Sequence, residues 1–92
     1  MGVGIGCKGQ KWGVVSERGR IIVPFRYDSI EPFSKTLLRA ELNGYWGLIH
    51  KYTGIAALGF LYSSIGPLTD GQAEVSGPGG TFLVDGDGRR IP

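Results

Sequence analysis

The chain has 92 residues and a mass of 9.9 kDa, room for one small domain rather than several cores. With 41% apolar and 20% charged residues it is not a disordered chain, and no apolar run approaches the roughly 18–20 residues of a membrane-spanning helix. Ten basic and eight acidic side chains leave a formal charge of +2, too small for binding driven by phosphate neutralisation, so nucleic acid is not an expected partner.

The predicted elements are all short strands. Val3–Cys7 is the first, with Val3, Ile5 and Cys7 on an apolar face, and a Lys8-Gly9-Gln10 turn leads to Lys11–Ser16. In that second strand Trp12, Val14 and Ser16 share one face while Lys11, Gly13 and Val15 share the other. A polar turn, Glu17–Gly19, precedes a third strand over Arg20–Phe25, and Tyr27–Lys35 reads as a linker. The pattern then restarts. Leu38–Leu42 alternates, with Leu38, Ala40 and Leu42 on one face, and Asn43-Gly44 gives the strongest short hairpin signal because a type I′ turn needs φ > 0 at both central residues. Tyr45–His50, a Lys51–Gly54 turn and Ile55–Phe60 follow, and Tyr62–Gly71 reads as a second linker. The last stretch holds Gln72–Ser76, a Gly77–Gly80 turn, Thr81–Asp85, the turn Gly86-Asp87-Gly88 and Arg89–Ile91. Seventeen glycines suit so many tight turns.

The restart is a true internal repeat. Trp12-Gly13-Val14-Val15 recurs as Trp46-Gly47-Leu48-Ile49, Tyr27-Asp28-Ser29-Ile30-Glu31-Pro32-Phe33 as Tyr62-Ser63-Ser64-Ile65-Gly66-Pro67-Leu68, and Gly19 as Gly54 and Gly88. A third copy, Thr81-Phe82-Leu83-Val84-Asp85, lacks both the Trp and the Gly. A glycine inside a strand costs roughly 0.5–1 kcal/mol, so its recurrence after Trp predicts a close approach of another ring or backbone.

These segments resemble the bacterial WG (KWG) repeat proteins, whose units run from Trp-Gly through two aliphatic residues and a polar turn ending in Gly to an aliphatic strand and Pro. Gln10 through Gly19 with Ile22-Val23-Pro24 follows that pattern, and Tyr27 through Ser34 resembles the family's Tyr-Asp-x-Ile-x-x-Phe segment; the third copy departs from it, and Gly59 stands where the first unit has Pro24. The resemblance implies a β-rich repeat with a binding role and brings no catalytic residues. The expected fold is therefore all-β. Three WG-type units, at about residues 1–34, 35–70 and 71–92, would each form an antiparallel three-stranded meander and pack as a single domain into a compact, barrel-like assembly. The unit boundaries coincide with strand boundaries, which leads us to expect a complete small assembly.

Chemical motifs are poorly supported. Gly4-Ile5-Gly6-Cys7-Lys8-Gly9 satisfies G-x-G-x-x-G, but only three residues precede it and a hairpin, not a helix, follows. Asp85-Gly86-Asp87-Gly88 opens like a calcium loop and continues with Arg89 and Arg90, which suit a hairpin turn and not a dication. Cys7, His50 and Asp85 could form a nucleophile–base–orienter set, yet His50 aligns with Ser16 and Asp85 at one repeat position, which points to turn chemistry. One Cys and one His supply half the ligands of a zinc site. The expectation is a non-enzymatic protein with no cofactor and no metal.

Contact surface is then the working part. Trp12, Trp46, Tyr27 and Tyr62 recur with the repeat and are expected in the core. Tyr45 and Tyr52 have no aromatic counterparts and flank turns; with Arg18, Arg20, Arg26 and Arg39, on the more basic half of the chain, they form the candidate partner-binding set. The expected partner is a protein, in the manner of an adaptor or a small phage- or bacterium-encoded inhibitor; the alternative is a cell-wall glycan stacked on exposed Tyr or Trp. Self-association, or a partner covering an edge strand, is a further expectation, and no membrane role is expected. The lone Cys7 and the lack of a signal-peptide pattern predict a reducing, cytoplasmic setting.

Overall fold

Three two-residue turns, Gly9-Gln10, Asn43-Gly44 and Pro78-Gly79, close antiparallel hairpins in the computed structural model, which describes residues 2–92. Asn43 and Gly44 both have positive φ (54° and 86°), as the type I′ expectation requires. Around these hairpins the chain builds ten strands among the described residues and no helix. The first sheet is β1 (Val3–Lys8), β2 (Lys11–Ser16) and β3 (Ile21–Tyr27), in that order. The second is β4 (Ser29–Pro32), β5 (Leu37–Leu42), β6 (Tyr45–His50) and β7 (Ala56–Tyr62), and the third is β8 (Ser64–Ile65), β9 (Ala73–Gly77) and β10 (Gly80–Val84).

The all-β class and the hairpins agree with the sequence; the arrangement corrects it in three places. Both presumed linkers contain a strand: β4 pairs with β5 and β8 with β9, so the sheets have three, four and three strands rather than three each. In the second linker Asp70-Gly71, with φ of 53° and 76°, turns the chain back between Thr69 and Gln72, a hairpin signal the linker reading passed over. Arg89–Ile91 is not a full strand. It makes one bridge, Val84 to Arg90, with the Ile91 N–H donating to Leu83 O at 2.8 Å. Finally, nothing closes into a barrel. The sheets are open layers, and the Cα envelope measures 39 × 27 × 18 Å.

Each Trp-Gly pair sits at the same irregularity. Trp12 faces Tyr27 and Val14 faces Val23, so Gly13 alone opposes Pro24, Phe25 and Arg26; Gly47 alone opposes Gly59, Phe60 and Leu61 between the pairs Trp46–Tyr62 and Leu48–Leu58. The bulged strand bends over the glycine. A methyl group at Gly13 would lie 2.6 Å from Val23 O, and one at Gly47 would lie 2.7 Å from Leu58 O and 3.0 Å from the Phe60 ring. The expected close approach is therefore made by backbone, in both copies.

The core follows from the two faces of the middle sheet. Leu38, Ala40 and Ile49 pack with Ile30 against Val14, Val23 and Tyr27 of the first sheet. Leu37 and Leu48, from the opposite face, pack with Phe33 against Ile65, Ala73, Val75 and Val84 of the third. Aromatic pairs join the layers at corresponding places: Tyr27 stacks on Phe60 with centroids 5.4 Å apart, and Tyr62 meets Phe82 edge-on at 5.5 Å. Of the four aromatics expected in the core, Tyr27 is buried, Trp46 and Tyr62 are half-buried, and Trp12 is 36% exposed. Cys7 is also exposed rather than packed, its Sγ lying 3.5 Å from Gly9 O.

The divergent third copy has a physical reason. The pairing register equates Thr81 with Trp46 and Phe82 with Gly47. Gln72, Glu74, Thr81 and Leu83 lie on the face that no further sheet covers, and all four are exposed, so polar residues replace Leu37 and Trp46 there. On the inner face Phe82 supplies the ring that Phe60 of β7 supplies in the middle sheet, and no bulged strand crosses that position. At the other end Gly4 and Gly6 stand where β5 has Leu38 and Ala40, which blunts the first outer face.

Asp28 fastens the first two hairpins: its carboxylate takes the Lys11 ammonium and accepts the Asn43 N–H at 2.8 Å. The Lys11 hydrogen bond first, then the Asn43 N–H, holds this carboxyl below its ordinary range. A depressed folded-state value stabilises the fold above the unfolded value of about 3.9 and is lost as pH falls through the folded value. Urea denaturation should therefore show an advantage of wild type over Asp28→Asn at neutral pH that vanishes in strong acid; a constant difference would contradict the assignment. Gly13→Ala and Gly47→Ala should each cost about 1–3 kcal/mol by the same method, because backbone must move. Gly4→Ala, with nothing within 4 Å of the new methyl, should be neutral or slightly stabilising.

Candidate functional site

The turn after each middle hairpin strand is built alike. The N–H groups of Ser16, His50 and Asp85 donate across their turns to Arg20 O, Ile55 O and Arg89 O, and the turn glycines Gly19, Gly54 and Gly88 all have positive φ. The shared position of Ser16, His50 and Asp85 is thus a turn position. Asp85 Oδ1 accepts from the Asp87 and Arg89 N–H groups, which commits it to that turn and not to Cys7 or His50.

The second and third turns each dock on the preceding sheet. A methyl on Gly54 would lie 2.7 Å from Ile22 O, and one on Gly88 would lie 3.3 Å from the Leu37 side chain. Gly19, in the first turn, has nothing within 4 Å. Beside it opens a cleft of about 620 Å³, with Val3, Ile21, Ile22 and Tyr52 as its apolar lining and Ser16, Glu17, Arg18, Arg20 and Thr53 as its polar one. Ile21 is 59% exposed and Tyr52 50% exposed. The Lys51 ammonium lies 5.1 Å from the Tyr52 ring centroid. Two arginines against one glutamate make the lining net basic. A second cleft, of about 260 Å³, lies at the far end beside Tyr62, Gly80, Phe82 and Arg90, with the Arg90 guanidinium 4.4 Å from the Phe82 centroid.

Of the six candidate residues the structure gathers three: Tyr52, Arg18 and Arg20 line the same cleft. Tyr45, 54% exposed, sits at the opposite end of the six-residue strand β6. Arg26 lies on the exposed side of β3, its guanidinium 5.4 Å from the Tyr27 centroid. Arg39 is a structural residue. It pairs with Glu31 at 2.8 Å, donates to Ile65 O at 2.6 Å and lies 5.7 Å from the Trp46 ring centroid, tying the second sheet to the third. Sequence reasoning missed Ile21, Thr53 and Val3. The available signal was Ile21 standing where the second copy has Ala56, a larger apolar side chain without a matching neighbour.

Different costs follow from these surroundings. Arg39→Ala should destabilise by about 1–3 kcal/mol, since it removes the donor to the carbonyl of buried Ile65. Arg18→Ala, Arg20→Ala and Tyr52→Ala should stay within about 0.5 kcal/mol of wild type. Thermal and chemical denaturation of the four variants checks both statements.

No group of three or more His, Cys, Asp or Glu side chains gathers among the described residues into a metal-binding cluster. No curated protein and no solved structure matches the chain. The WG containing repeat family matches residues 12–46, from one Trp-Gly pair to the Trp of the next. That span takes in β2 and β3 of one sheet and β4 and β5 of the next, so the sequence repeat is the link between layers. Residues 12–46 are thus similar to the WG containing repeat, and the bulge over glycine at their first Trp-Gly pair recurs at Gly47.

Proposed function

We propose that the chain is a non-enzymatic binding module that recognises another protein through the cleft beside the first turn. The observation that carries this reading is the company of Tyr52, Arg18 and Arg20 around exposed Ile21. Arg18 and Arg20 form no ion pair among the described residues, and Tyr and Arg are the residue types in which interfaces concentrate binding energy. The apolar part of the lining gives a partner surface to bury, and the two guanidinium groups favour carboxylates at its rim. A sugar ring would find a single exposed tyrosine there to stack on, whereas the aliphatic lining of Val3, Ile21 and Ile22 beside two guanidinium groups suits a polypeptide with apolar and acidic side chains.

Affinity capture with the immobilised chain, run beside an Arg18→Ala/Tyr52→Ala double variant, tests this. The reading expects a reproducible protein partner whose recovery falls at least about tenfold with the variant. Equal recovery by both chains, or retention of glycans alone, would overturn it.

A further inference from the structure

We propose that the free edge of β1, together with the adjoining cleft, takes up an extended segment of a partner protein as an added antiparallel strand, with an aliphatic residue opposite Gly6 and an aromatic side chain seated in the cleft. This deepens the protein-binding reading and rests on it.

The molecule carries its own template for the complex. In the second sheet β5 has β4 on one side and β6 on the other, and in the third β9 lies between β8 and β10; β1 has β2 alone. The pairing of β1 with β2 and of β5 with β6 is the same register displaced by 34 residues, from Val3–Ser16 against Leu37–His50 to Lys8–Lys11 against Leu42–Tyr45. On β5 the carbonyls of Leu37 and Glu41 accept from Phe33 and Asp28. Their counterparts on β1, Val3 and Cys7, therefore turn their N–H and C=O groups toward the uncovered side. An uncovered edge is a template for another strand, and β1 has no proline and no bulge to blunt it; its one charge is Lys8, at the end.

The register also states what the added strand should carry. Ile30 lies opposite Ala40 and Ile65 opposite Val75, and both partners correspond to Gly6. Three residues after each Ile comes a large apolar side chain, Phe33 or Leu68, packed between the second and third sheets. Phe33 packs in the cluster of Leu37 and Leu48, whose first-sheet counterparts are Val3, in the cleft lining, and Val14. An aromatic residue three positions beyond the aliphatic one thus enters the cleft between Val3, Ile21 and Tyr52, and carboxylates that follow it meet Arg18 and Arg20.

A fluorescent peptide copying residues 27–34 serves as the probe, titrated by anisotropy and mapped by ¹⁵N chemical shifts. Saturable binding is expected below about 1 mM peptide. It should weaken at least about tenfold when the peptide's Phe is replaced by Ala or N-methylated, and likewise in Cys7→Pro, which removes an edge N–H without touching the β1–β2 ladder. Shifts should centre on Val3–Lys8, Ile21 and Tyr52. No binding, binding indifferent to the peptide changes, or shifts centred on β5 would overturn the proposal, as would a dimer of this chain that Cys7→Pro abolishes. If the peptide fails while the Arg18→Ala/Tyr52→Ala variant still loses its captured partner, strand addition falls and the protein-binding reading stands.

Discussion

The missing methyl group at Gly13 and Gly47 is the constraint on which the layers depend. At both positions the partner strand carries two extra residues, and its carbonyl passes 2.6–2.7 Å from where a Cβ would be. A bulge of that size bends the last strand of a sheet and sends the chain onward to the next layer, where it begins again as a short strand beside the following hairpin. The tryptophan before the glycine flanks the same bend, paired with a tyrosine that ends the bulged strand (Tyr27 or Tyr62). Each tyrosine then meets a phenylalanine of the next sheet. The motif's two letters therefore do separate things: Gly admits the crossing backbone, and Trp pairs with the residue that leads to the next layer.

Stacking of this kind buries both faces of the middle sheet and one face of each outer sheet, and the outer faces are adapted to that position. Gly4 and Gly6 leave the first outer face thin, while Gln72, Glu74 and Thr81 make the last one polar. Surface left uncovered in the plane of the sheets includes the edge of β1, the cleft beside the first turn and the cleft beside the Pro78-Gly79 hairpin. Those are the places where contact surface is available to a partner.

Hairpins and turns were legible because they are local: β2 and β6 were read to the residue, and Asn43-Gly44 predicted its own geometry. Layer order was not, because it depends on the bulge, and one sequence position per copy (the glycine) is the sole trace of it. Ser29–Pro32 and Ser64–Ile65 were read as linkers since each contributes only one or two inward side chains, too few to show alternation. The barrel expectation treated edges as needing closure; the chain manages its outer faces with glycine and polar residues instead. In the candidate set, Arg39 looked like Arg18 and Arg20 in sequence, and only the third dimension gives it Glu31 and Ile65 O. Tyr52 joins Arg18 and Arg20 across 32 residues or more because the second turn docks on the first sheet.

The most direct test of the glycine-seated bulge is the proton spectrum of the unmodified protein. Gly47 lies with its bare face 3.0 Å from the Phe60 ring, counted from the Cβ it lacks. One of its two Hα protons should therefore be shifted strongly upfield by that ring and show nuclear Overhauser contacts to Phe60 and Leu58, with the matching contacts from Gly13 to Val23 and Pro24. Gly47 Hα resonances at ordinary strand positions, without those contacts, would contradict the account.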